Sequence, residues 1–69
     1  MTYYILKNEK DGRYVRNIDR SGPKPKARYM QPDDPTELPN IYRESDIKRN
    51  RTLPKNCKFV AVEIKEIEL

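Results

Sequence analysis

At 69 residues, with one cysteine and no histidine, the chain is too short to enclose a sizeable pocket and has neither a disulfide set nor a histidine-bearing metal cluster to stiffen it. A single core in so small a domain leaves a net stability of about 3–5 kcal/mol. Bases outnumber acids 15 to 11, a net charge of +4, and no apolar run approaches the ~20 residues that span a bilayer.

These limits describe one domain over residues 1–69. Its first residues form no signal-peptide core and no basic leader, so a cytosolic protein is expected. The single Cys57 opens an apolar strand and is read as a small buried hydrophobe, in keeping with a reducing compartment.

Residues 2–7, Thr-Tyr-Tyr-Ile-Leu-Lys, are aromatic and β-branched and predict a first strand. Asn8-Glu-Lys-Asp-Gly12 is turn chemistry ending on the residue best able to take a positive φ. Residues 13–18 predict a second strand, so residues 2–18 read as a β-hairpin. With Asn8 opposite Arg13, Tyr3, Ile5, Tyr14 and Ile18 share one face, and Tyr4, Leu6 and Val15 the other. A slip of one residue exchanges the second strand's faces.

Residues 19–40 hold five of the six prolines and read as a long irregular segment. Within it, residues 26–30 (Lys-Ala-Arg-Tyr-Met) predict a short edge strand before Pro32. Asp34-Pro-Thr-Glu37 resembles a capping box with proline at the first helical position, and Pro39 limits it to a single turn. Tyr29 and Leu38 are expected to pin the segment to the sheet. Further on, Ser45 predicts an N-cap for a short helix over residues 45–50, acidic at its start and basic at its end, with Ile47 as its anchor.

The closing strand is predicted over residues 57–67. Val60, Val62 and Ile64 alternate on one side, with Phe59 and Ala61 on the other, the pattern of a central strand covered on both faces. Ile67 and Leu69 fall on the opposite parity. A bulge would return them to the face of Ile64, or the strand ends near Lys65 and the tail turns away. The whole reads as an α+β fold. An antiparallel sheet of three to four strands, from the N-terminal hairpin and the C-terminal strand, carries one short helix and the Pro-rich loop. The first and last strands are adjacent at its centre.

Nothing in the chain has catalytic, cofactor-binding or metal-ligating spacing. Ser21 and Ser45 have no partner base, the glycine loops lack a phosphate-cradle pattern, and Asp33-Asp34 reads as a helix start. A non-enzymatic protein with no small-molecule substrate is expected.

Charge distribution is more telling than its total. Residues 13–30 carry Arg13, Arg16, Arg20, Lys24, Lys26 and Arg28 against Asp19 alone, and residues 47–58 carry Lys48, Arg49, Arg51, Lys55 and Lys58 with no acid. With Tyr29 nearby, the residues Arg20, Lys24, Lys26, Arg28, Lys48, Arg49 and Arg51 are the candidate binding residues. They suit either a partner protein or nucleic acid, through phosphate contacts and base stacking. A mixed, solvated surface is the plainer alternative.

The opening Tyr3-Tyr-Ile-Leu-Lys-Asn8, then Asp11-Gly-Arg-Tyr-Val15, and the closing Lys58-Phe-Val-Ala-Val-Glu-Ile64 resemble small accessory proteins encoded by bacteriophages and prophages. The likeness covers the two ends, less than half of the chain, and the Pro-rich middle departs from it. It implies a cytosolic accessory protein that binds and modulates a host macromolecule, a protein first of all. The alternative is a small basic nucleic-acid-binding protein.

Overall fold

A computed structural model describes residues 2–31, 33–34 and 36–69. The order is β1 (Thr2–Asn8), β2 (Val15–Asp19), β3 (Lys26–Tyr29), α1 (Glu44–Arg49) and β4 (Cys57–Glu63). The fold is small and strand-dominated with one short helix, but the expected single sheet is two antiparallel pairs, β1 with β4 and β2 with β3.

The expected hairpin turn forms. Asn8 donates its backbone N–H to the Arg13 carbonyl at 2.9 Å, and Gly12 donates to the Asn8 carbonyl at 2.9 Å with a φ of +78°. Asn8 therefore lies opposite Arg13, and Lys7 bridges Tyr14. The hairpin ladder goes no further. At Tyr4, both backbone groups of β1 are taken by Tyr42, in bonds of 2.9 and 2.8 Å. A register irregularity between Val15 and Asn17 turns β2 away, and it pairs with β3 instead.

β1 and β4 pair along their full length, from Thr2 opposite Glu63 to Asn8 opposite Cys57. Side chains directly opposite share a face, so Leu6, Phe59, Asn8 and Cys57 lie on one side. That side is the core. Leu6 and Val15 are completely buried, and Asn8 nearly so. Tyr42 packs edge-on against Phe59, with ring centroids 5.3 Å apart. Val60 and Val62, on the opposite face, are only half-buried. β4 has one strand partner among the described residues, so it is an edge strand rather than a central one. It ends at Glu63, and residues 64–69 carry no regular structure, leaving Ile64 and Ile67 exposed.

Residues 26–29 form the expected short strand, and Pro32, set as its limit, lies outside the described residues. The capping box at Asp34 is corrected. Asp34 Oδ1 accepts from Thr36 N–H at 2.9 Å and from its hydroxyl at 2.6 Å, a turn rather than a helix start. Pro35, expected at the first helical position, is also outside the described residues. Glu37 donates its backbone N–H to the Asp34 carbonyl at 3.3 Å, closing that turn, but its side chain does not reach back to the Asp34 N–H. Its carboxylate accepts from Arg16 at 3.0 Å and from the Gln31 N–H, clamping the Pro-rich segment to β2. Asn40 adds a bond to the Arg16 carbonyl at 3.1 Å. Leu38, expected as a pin, is 76% exposed.

The helix begins earlier than expected, at Glu44, and its cap moves by two residues. Arg43, not Ser45, is its N-cap, because Asp46 at the third helical position accepts the Arg43 N–H at 2.8 Å. Its six residues include none that is fully buried, so tertiary ties have to hold it.

Candidate polyanion-binding site

The site grows from Arg20, just past the end of β2. Its guanidinium donates to Asn50 Oδ1 at 2.8 Å and to the Thr52 carbonyl at 3.1 Å, 30 and 32 residues away. Asn50 is the C-cap of α1. Its N–H and its Nδ2 both donate to the Asp46 carbonyl, at 3.0 and 2.7 Å. One amide thus closes the helix with its nitrogen and receives Arg20 with its oxygen. Lys48 and Arg49 occupy the last helical turn and Arg51 follows the cap. Arg20 is therefore held against the segment that carries Lys48, Arg49 and Arg51.

All four of these bases are exposed. Lys48, Arg49 and Arg51 take part in no ion pair among the described residues. The nearest acid in sequence, Asp46, spends its carboxylate on the helix N-terminus. Cations at a helix C-terminus are favoured by the helix dipole, so this local charge is tolerated.

The remaining candidates divide. Lys24 and Lys26 are exposed and make no ion pair among the described residues, and Lys26 stands opposite Asp19 in the β2–β3 ladder. Arg28 is tied to Asp19 at 2.9 Å, so its charge is largely offset. Asp19 also accepts the Ser21 hydroxyl at 2.6 Å and the Ser21 N–H at 3.0 Å. Those two bonds, then Arg28, hold its carboxyl down at about 2.

Tyr29 is not set out for stacking. Arg13 lies over one face of its ring, 3.8 Å from the centroid, and its hydroxyl accepts from Asn8. The more exposed ring is Tyr14, with Lys7 Nζ 5.5 Å from its centroid. Cys57 is half-buried, its sulfur 3.8 Å from the Tyr29 hydroxyl.

The sequence reading missed Asn50 and Thr52. An asparagine after a basic helical turn signals a C-cap. That its free oxygen takes Arg20 is a long-range fact with no local signal.

No helix of the described residues is long and apolar enough to cross a membrane. No family model matches this chain, and comparisons with curated proteins and with solved structures gave no match either.

Proposed function

We propose that this chain is a non-enzymatic binding protein that engages the phosphates of a nucleic acid through Arg20, Lys48, Arg49 and Arg51, with Lys24 and Lys26 as flanking contacts. One observation carries the reading. The bonds from Arg20 to Asn50 and Thr52 join two basic tracts that lie far apart in the chain. Clustered cations displace condensed counterions from the polyanion, a gain in affinity that isolated surface charges do not give. With Tyr29 engaged elsewhere, little base stacking is available, so binding should show little sequence preference.

The test is fluorescence anisotropy with labelled duplex DNA, single-stranded DNA and RNA at low and near-physiological salt. The log–log slope with salt should be about −0.9 for each phosphate contacted on duplex DNA. Lys48→Ala, Arg49→Ala and Arg51→Ala together should flatten it with circular dichroism unchanged. Failure of all three nucleic acids to bind at low salt removes the reading.

A second reading has its own observation. Leu38, within the Pro-rich segment, and Ile41, just past its end, stand 76% and 53% exposed. Such a pair suits a host-protein partner of the kind implied by the phage-protein resemblance, and it stands if nucleic acids fail to bind.

A further inference from the structure

The outer edge of β4 is an unfinished ladder. Tyr4 turns both its backbone groups toward Tyr42, away from β4. Ala61 stands opposite Tyr4, so its own N–H and C=O point away from β1. The same parity applies to Phe59, opposite Leu6, and to Glu63, opposite Thr2. Among the described residues none of these outward groups meets a backbone partner. β4 has neither a proline nor a register shift to break this edge, and the guards it does carry are charges, the exposed Lys58 and Glu63.

Beyond the strand, Ile64 and Ile67 are 53% and 81% exposed. By sequence parity, continuing the strand would set Ile64 in the line of Val60 and Val62, and Ile67 in the line of Cys57 and Phe59.

We propose that this edge pairs with the same edge of a second copy of this chain, antiparallel about a two-fold axis at Val62. The occupant is a second copy because the edge is complementary to itself in that register. Lys58 falls opposite Glu66 of the other copy, Val60 opposite Ile64, Cys57 opposite Ile67, and Val62 opposite its own counterpart. Both copies of each pair form at once, as a two-fold axis requires. Ala61 and Glu63 exchange the ladder bonds, in agreement with the direction of their backbone groups. Shifting the axis to Val60 or to Ala61 sets Lys58 against Val62 or Ile64 and loses the charge match. In the chosen register residues 64–67, irregular in one copy, become strand, and their exposed isoleucines gain cover. The result is a four-stranded sheet with β1 strands flanking two β4 strands.

The test is sedimentation velocity of the full chain from micromolar to millimolar protein. A dimer is expected. Lys58→Glu alone or Glu66→Lys alone sets like charges opposite each other twice per dimer and should weaken association roughly three- to thirty-fold. The two together should restore it. All three variants alter exposed side chains, so each should keep its circular dichroism. In a Cys57→Ala background, Val62→Cys should form a disulfide-linked dimer on mild oxidation, since non-hydrogen-bonded antiparallel partners have Cα atoms about 4.5 Å apart. A monomer across the whole range, or a dimer that ignores the charge exchange and gives no cross-link at position 62, overturns the proposal.

Discussion

The side-chain amide of Asn8 donates to the hydroxyl of Tyr29 at 2.7 Å, tying the end of β1 to the end of β3 across the gap between the two sheets. The same side chain caps the first turn, accepting from Lys10 N–H at 2.8 Å and Asp11 N–H at 3.1 Å. Asn8 is nearly buried, so every one of these bonds replaces water it has lost. Tyr29→Phe should leave a buried amide donor without a partner and cost about 1–3 kcal/mol. Asn8→Ala should cost more, because two turn N–H groups are lost with it. Urea titrations of both single variants and the double should show a coupling of about 1 kcal/mol between them. Strict additivity would mean that the bond contributes nothing in solution.

The core lies on the Leu6 side of β1 and β4 rather than on the Val62 side. Leu6→Ala removes a fully buried side chain and should cost about 2–5 kcal/mol, comparable with the whole stability of such a domain. Val62→Ala should cost clearly less, because Val62 is half-buried. Val62→Asp should still destabilise strongly, by setting a charge against that apolar face. Thermal melts followed by circular dichroism rank the three. Equal melting temperatures for Leu6→Ala and Val62→Ala would contradict this placement of the core.

Gly12 sits at φ +78°, where a side chain is strained whatever space it has. A Cβ there would meet Lys7 Cε at 3.7 Å, an ordinary contact, so packing adds no penalty. Gly12→Ala should therefore cost about 1–2 kcal/mol, the backbone term alone. A loss well above that, measured by urea unfolding, would point to a clash.

Hydrogen exchange should divide residues 20–40 unevenly. Amides of Met30 and Asn40 donate to the Tyr14 and Arg16 carbonyls, at 3.0 and 3.1 Å, and with the ladder amides of β3 should be the slow ones of that segment. They should still exchange faster than the β1–β4 ladder, where the buried Leu6 lies. Uniformly slow exchange would make the whole segment a structural layer.

Acid should weaken the fold partly through Asp19. Its carboxyl is lowered from an ordinary 3.8 to about 2 by Ser21 and Arg28. A depressed carboxyl contributes stability that is fully present above the unfolded value and disappears as pH falls through the folded one. The melting temperature should therefore drop between about pH 4 and pH 2, and Asp19→Asn should flatten that part of the profile. An identical profile for the variant would show that Asp19 is not part of the acid response.

The local pieces of this protein were legible in the residues themselves. The Asn8-to-Gly12 turn, the strand at residues 26–29, the single-turn character of the Asp34 region and the helix before residue 50 all follow from neighbours in sequence. So did the antiparallel association of the first and last strands, the two most apolar runs, though not the edge position of the last. The candidate site was legible as a list of bases and not as a place.

Which edges pair was decided only by the tertiary structure. β2 has the pattern to continue a hairpin with β1, but Tyr42 occupies Tyr4's hydrogen-bonding groups and β2 turns to β3. Arg20 reaches Asn50 because the end of β2 lies beside the end of α1, and Glu37 leaves its turn for Arg16 because β2 passes close by. Local preferences act over a few residues through φ, ψ and capping. Each backbone edge and each long polar side chain has several partners of similar energy in reach, so the choice among them is settled by what the rest of the chain has already filled.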